Sequence, residues 1–312
     1  MKNKIILLVV VFLLSAIFIT GCFESDQTVD DQEKDGGDEQ YKDDNKSKNE
    51  YQWSKMTEGP YHDKISYATS TDLLNWVDSQ EILAEHASVP GAVIKSNVIY
   101  VYFVDVSVDG IAEQIGLIRS SDNGTTWSEK QIVSIDGVGE KVPVDPAPFL
   151  LDDGSIRIYY FDINEERTQQ SSDGLNKIYS CISSDGLNFV DEGVICLSKV
   201  GIFDPDVVLV DDIYRMYVGD LENNQVISAT SSDGLNFTEE GVALVGGAVP
   251  DVFFKNNTYY LYTAGIDISM SDDGVNFTKT ENFFRSGLGL VTADPSVIEL
   301  SDGTYMMLYK TK

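Results

Sequence analysis

From Lys64 onward the chain alternates short apolar runs with small polar clusters, and within the runs the alternation has a period of two. Stretches such as "KISYAT", "GLIR", "KIYSCI", "QVISAT" and "DISM" each lead into a polar turn; runs of this kind, bounded by Gly, Asp, Asn and Ser, predict half-buried strands. The turn itself recurs. It reads "SSDGLNF" at Ser183 to Phe189 and at Ser231 to Phe237, "SDDGVNF" at Ser271 to Phe277, "SSDNGTTW" at Ser120 to Trp127 with one residue inserted, and "STDLLNW" at Ser70 to Trp76. Asp accepts hydrogen bonds from the backbone of such a turn, Gly supplies positive φ, and the terminal aromatic packs the hairpin onto its neighbour. The repeated turn is therefore expected to staple a hairpin.

Upstream of each turn lies a second recurring pair. A strand opens with x-Pro, as in "VPGAVI" from Val89, "DPAPFL" from Asp145, "DPDVVL" from Asp204, "VPDVFF" from Val249 and "DPSVIE" from Asp294, and a Tyr-rich strand follows, as in "IYVYFVD", "IRIYYFD", "YRMYVGD", "YYLYTA" and "YMMLYK". Four strands per unit at a period of about 40 to 60 residues is the pattern of propeller blades. The last unit, Ala293 to Lys312, has only its first two strands, whereas "KISYAT", its turn and "VDSQEIL" at the front lack a first half. The expected fold is all-β: a five-bladed β-propeller over 51–312 whose last blade is closed by N-terminal strands, with Ile65 to Leu83 beside Tyr305 to Tyr309. Such closure leaves no unpaired edge between the first and last blades. Because the second strand returns to the face where the first began, the stapled turns fall on the opposite face.

The ends change the picture of location. Met1 to Lys4 is basic, and an apolar run from Ile5 to Ile19 stops at "ITGC", so 1–22 reads as a lipoprotein signal peptide with Cys22 as the lipidated residue. From Phe23 to about Glu50 the chain is almost entirely polar and charged, too poor in apolar side chains to offset the entropy of ordering; 23–50 is expected to be an acidic, disordered tether. Together these place the protein outside the cytoplasm, held to the cell membrane by lipid, and a monomer. The formal net charge of −29 repels phosphate backbones, which argues against nucleic acid as a partner. Cys181 and Cys196 fall in one repeat, at a spacing that does not by itself dictate a disulfide.

Candidate chemistry gathers where the first strands begin. Asp145, Asp204 and Asp294 precede their prolines, Asp206 and Asp251 follow theirs, and Asp105, Asp162 and Asp220 end second strands on the same face. His62, His86 and Glu58, within "EGPYH" or just before the first blade, belong there too. An acidic ring around a channel can supply an acid and a base for glycosidic cleavage, with carboxyl groups roughly 6.5–9.5 Å apart for inversion. It can equally hold a hard cation such as Ca²⁺ through oxygen ligands, or simply start strands and face solvent.

The x-Pro openings, Tyr-rich second strands and "ATSxDxxNW/F" strand ends resemble those of the five-bladed superfamily of glycoside hydrolase family 43 and its relatives, the arabinanases, xylosidases, levansucrases and invertases. The resemblance implies a sugar substrate, an oligo- or polysaccharide. It also implies an Asp base in the first opening, an acid-tuning Asp in the third and a Glu acid in the fourth. Asp204 matches the third position, but Val89 and Val249 occupy the other two and can neither take nor give a proton. Three accounts follow. The site is rebuilt, with Asp145, Asp204 or Asp294 as base, Glu58 as acid, and His62, His86, Asp105, Asp162 and Asp220 binding substrate; or the channel is a non-catalytic pocket for sugar or for Ca²⁺, with Asp206 and Asp251 as ligands; or the propeller is an adhesion platform. Sialidases share the Asp-containing turns, but their three convergent arginines have no counterpart among Arg119, Arg157, Arg167, Arg215 and Arg285 as this topology places them. No Gly-rich phosphate loop, Cys/His zinc cluster or Ser/His/Asp arrangement is evident.

Overall fold

A computed structural model describes residues 60–107, 113–164, 174–220, 222–289 and 291–312. Cys22, the 23–50 segment and Glu58 lie outside the described residues. The described chain forms five sheets, antiparallel but for one short added strand, the blades of a β-propeller. After a 3-10 turn at Pro60–His62, strands β1 (Lys64–Ser70) and β2 (Val77–Glu85) come first. Blade I is β3 (Ala87–Lys95), β4 (Val98–Asp105), β5 (Gln114–Ser120) and β6 (Gln131–Ile132). Strand β7 (Ser134–Asp136) then crosses to blade II and pairs in parallel with its outer strand, β11 (Asn188–Lys199). Blade II comprises β8 (Pro143–Leu150), β9 (Ile156–Asp162), β10 (Asn176–Ser183) and β11 (Asn188–Lys199).

Blade III is β12 (Ile202–Val210), β13 (Ile213–Asp220), β14 (Gln225–Ser231) and β15 (Thr238–Val245), and blade IV is β16 (Asp251–Lys255), β17 (Thr258–Thr263), β18 (Asp267–Ser271) and β19 (Thr278–Phe283). Strands β20 (Thr292–Glu299) and β21 (Tyr305–Thr311) begin blade V, and β1 and β2 finish it. Strand β1 pairs antiparallel with β21 from Lys64↔Thr311 to Ser70↔Tyr305. The ring is thus closed by backbone hydrogen bonds between the two ends of the domain, as the half-units at those ends predict.

Burial explains why the strands differ in composition. Second strands lie between neighbouring blades on both faces, so β9 and β21 are buried at every residue and read as nearly continuous apolar runs. Outer strands face solvent and alternate or are exposed, as β15 is. The apolar clusters span adjacent blades: one joins Val104 of blade I, Tyr159 and Phe161 of blade II, and Met216 and Val218 of blade III. Cys181 and Cys196 are both buried free thiols.

The repeated turns are built as expected and do more than join strands. In the blade II turn the Ser183 hydroxyl accepts from Gly186 N at 2.9 Å, while Asp185 Oδ1 accepts from Leu187 N and Asn188 N, each at 2.8 Å. The turn then docks on the preceding blade, where the Tyr102 hydroxyl donates to Gly186 O at 2.8 Å. Tyr159 to Gly234 O (2.8 Å), Tyr217 to Gly274 O (2.6 Å) and Tyr262 to Leu73 O (2.9 Å) repeat the latch at the next three seams.

Candidate functional site at the channel mouth

The five x-Pro openings converge. Four residues from each blade, beginning at Val89, Asp145, Asp204, Val249 and Asp294, line one central channel cavity of about 110 Å³. Each x residue has positive φ: 47° at Val89, 53° at Asp145, 46° at Asp204, 53° at Val249 and 51° at Asp294. Left-handed backbone is uncommon for a non-glycine residue and a marked outlier for β-branched Val. The proline that follows removes a donor and locks the next φ. In blades I, II, III and V the register between first and second strands slips across this dipeptide. The opening is therefore a bulge repeated around the axis. Strain of this kind costs on the order of 1–3 kcal/mol per residue and persists only where the surroundings over-determine it.

Two of the three mouth carboxyls are joined by a hydrogen bond. Burial raises the Asp204 carboxyl well above its usual range, the charges of Asp145 and Asp294 raise it further, and a hydrogen bond with Asp145 adds to this, with Lys310 opposing. Asp204 keeps partial exposure, onto the channel that it lines. Like charges this close oppose each other's ionisation, which adds to the effect of burial on Asp204.

The third carboxyl is neutralised differently. Asp294 Oδ2 lies 2.5 Å from Lys310 Nζ in an ion pair that is almost fully buried. Burial alone would lower the Lys310 ammonium, but Asp294, Asp63 and Asp204 together raise it. Asp63, just ahead of β1, is buried and accepts from Ser88 Oγ at 2.9 Å; burial raises its carboxyl against the pull of Lys310. Sequence reasoning missed both Asp63 and Lys310. The available signal was a lone Lys in "YMMLYK", a strand otherwise apolar enough to be wholly buried.

Asp206 and Asp251 stitch the channel wall. Asp206 Oδ2 accepts from Val252 N at 2.7 Å, Asp251 Oδ2 from Val297 N at 3.2 Å, and Ser296 Oγ from Ala92 N at 3.0 Å, so each ties the first strand of its blade to that of the next. Burial pushes Asp206 up to about 7, and burial together with Asp206 raises Asp251 well above the usual range. Between blades I and II the stitch is replaced by close approach. A Cβ on Gly91 would lie 2.0 Å from Pro146 O and 2.6 Å from Pro148 Cδ, so only glycine fits. Among the described residues no group of three or more His, Cys, Asp or Glu side chains is disposed to hold a metal ion.

Asp105, Asp162 and Asp220 end their second strands buried and are not among the cavity-lining residues. Asp105 is bound by Lys130 Nζ at 2.6 Å, and Asp162 Oδ1 accepts from Val142 N and Asn164 N. Asp220 accepts from Asn223 and Gln225; these bonds outweigh burial and hold it below the usual range. Beside the blade I opening, the Tyr61 ring stacks on His86 at 4.1 Å and meets the exposed His62 edge-on at 5.4 Å. His86 Nδ1 is 2.7 Å from Tyr61 O. The structure thus brings Asp145, Asp204 and Asp294 to one cavity, sets the aromatic trio at the start of blade I, and sends the strand-end aspartates to local loops.

No protein-family model matches the chain, and no curated protein sequence matches it. Among solved structures it is similar to a thermostable family-43 glycoside hydrolase (TM-score 0.59, 14% identity, covering 72% of this chain and 88% of that one). It is also similar to an endo-1,4-β-xylanase from Bacteroides thetaiotaomicron (TM-score 0.57, 16% identity, 72% and 84% covered). A third is the GH32 β-fructofuranosidase BmSUC1 of Bombyx mori (TM-score 0.55, 15% identity, 79% and 57% covered). At these identities the likeness establishes the five-bladed propeller fold.

Proposed function

We propose that this chain is a carbohydrate-binding propeller whose mouth carboxyls build the channel instead of cleaving substrate. One observation carries the reading: every x position at the mouth is spoken for. Val89 and Val249 carry no titratable group, Asp145 and Asp204 are joined by a hydrogen bond, and Asp294 is closed into an ion pair with Lys310. A hydrogen-bonded carboxyl pair is closer than the roughly 5–5.5 Å of retaining sites or 6.5–9.5 Å of inverting ones. The channel itself, about 110 Å³, is small beside the roughly 300–1,000 Å³ of small-molecule pockets. A sugar would therefore rest above the mouth, against the Tyr61, His62 and His86 rings, since aromatic faces suit the apolar side of a sugar ring. Glycan-array binding that is lost on His86→Ala, with no turnover of furanosides or pyranosides, is the expected result. Turnover that disappears in Asp204→Asn overturns it.

The raised Asp204 carboxyl favours a second reading, hydrolysis, because a carboxyl that holds its proton more tightly than usual suits a general acid. In that case Glu58→Gln or Asp204→Asn removes cleavage while leaving the melting temperature almost unchanged. Holding of Ca²⁺ through Asp206 and Asp251 would instead show as a melting temperature lowered by a chelator. We further propose that Cys22 carries a lipid anchor, that 23–50 spaces a monomeric propeller from the membrane, and that the protein acts outside the cytoplasm. Cys22→Ser then releases it from membrane fractions, and persistent membrane association of that variant would refute the anchor.

A further inference from the structure

The five seams of the ring are not alike. At four of them a second-strand tyrosine, Tyr102, Tyr159, Tyr217 or Tyr262, donates to a carbonyl of the next blade's turn. At the fifth, where the blade I turn meets blade V, the same register position is Leu308: it pairs with Ser296 as Tyr102 pairs with Gly91 and Tyr217 with Asp206. Leu308 has no hydroxyl to offer. The turn here carries the inserted residue, and Met306 Cε packs where a Cβ on Gly124 would lie 2.6 Å away. Beside this altered contact a cavity of about 720 Å³ opens, inside the roughly 300–1,000 Å³ typical of small-molecule sites. It is bordered by β1, β2, the loop between β20 and β21, and the turns of blades V and I, which puts it on the face opposite the mouth.

We propose that this seam groove is a second binding site, for a neutral oligosaccharide. Its lining joins an aromatic ring, Tyr67, with an apolar floor of Leu300 and Met306 and a rim of hydroxyl, amide and carboxylate groups from Asn75, Thr125 and Glu81. A sugar presents the same two chemistries: a C–H face that packs on an aromatic ring, and hydroxyls that donate to carboxylate and amide oxygens. The Tyr67 hydroxyl donates to Glu81 Oε2 at 3.4 Å, holding ring and carboxylate together at one wall, and a carboxylate retains acceptor capacity beyond one such bond. Charge narrows the class. Among the described residues no Lys or Arg lines the groove, whereas Glu81 and Asp302 do, so phosphate esters and acidic sugars are repelled and uncharged ones are not. The site shares the carbohydrate class with the function proposed above but none of its residues, so either reading can fail while the other stands.

The test is titration calorimetry of the full chain with linear gluco-, xylo-, arabino- and fructo-oligosaccharides from tetramer to hexamer. Thr125 lies on an exposed turn, so Thr125→Trp fills the groove while keeping the fold. A loss of affinity of about tenfold or more is expected from Thr125→Trp and from Tyr67→Ala, with seam binding unchanged in Asp204→Asn. Binding of none of these sugars overturns the proposal, as does affinity unchanged in Thr125→Trp whatever Tyr67→Ala does. Loss that follows Asp204→Asn alone, or tighter binding of spermidine than of any neutral sugar, overturns it equally.

Discussion

The same residue type stands at both faces of this ring and meets opposite fates. At the stapled turns, aspartates are exposed and accept hydrogen bonds from backbone and side-chain amides, so their ionised form is favoured: Asn75 draws Asp72 down to about 2, and Asn188, Asn236 and Asn276 depress Asp185, Asp233 and Asp273. At the mouth, Asp204, Asp206 and Asp251 are raised chiefly by burial. The turn and x-Pro motifs separate the two groups in the sequence but do not fix their ionisation. What differs is burial: at the turns donors meet an exposed carboxylate, whereas at the mouth the loss of water outweighs the donors that Asp206 and Asp251 do have, and that decides which protonation state the fold favours.

The largest effect should come from breaking the mouth's charge balance. Lys310→Met leaves Asp294 and Asp63 buried without their cation and is expected to destabilise by about 3–5 kcal/mol, read by urea unfolding; a loss below about 1 kcal/mol would mean that solvent reaches the pair.

Next is pH. A carboxyl raised in the folded state, as Asp206 is to about 7, adds stability below its unfolded value near about 4, and this is lost as pH rises through 7. The turn aspartates act with the opposite sign: their contribution is present above about pH 4 and lost as pH falls towards their depressed values. Melting temperature should therefore peak at roughly pH 4–5 and decline towards pH 8. Asp206→Asn keeps an acceptor for Val252 N and should recover roughly 2–6 °C at pH 8, at about 2–4 °C per kcal/mol. No recovery would place that decline elsewhere, for example in the net charge of −29.

Smaller effects test the other face. Tyr217→Phe removes one latch and orphans a carbonyl, for a loss of about 1–2 kcal/mol, while Leu308→Met at the unlatched seam should cost less than about 1.5 kcal/mol. Asp273→Ala should cost about 1 kcal/mol, lost preferentially above pH 4. Equal losses at the latched and unlatched seams would remove the distinction between them.

Much of the architecture was legible because it is written five times. Strand period, the Ser-x-Asp-Gly turns and the half-units at the ends predict blade count and closure, since each is a local rule or a matter of completing a repeat. The x-Pro dipeptides also marked the mouth correctly, because a first strand must start where the channel opens. Their left-handed backbone was not foreseen: the residue before proline normally prefers extended φ, and only packing around the axis enforces otherwise. Nor does sequence show that Asp206 and Asp251 reach backbone amides of the next blade, or that Asp105 and Asp220 turn to local partners. Each of those contacts depends on which strand a neighbour presents.

The sequence by itself therefore determined the repeating unit, the order of its strands and the ring that they must close, because hydrophobic period and turn chemistry act over a few residues. Only the tertiary structure decided the state of each carboxyl and the character of each seam. Those depend on distances between residues far apart in the chain, Asp145 to Asp204, Asp294 to Lys310 and Leu308 to the blade I turn, and on the loss of water that comes with bringing them together.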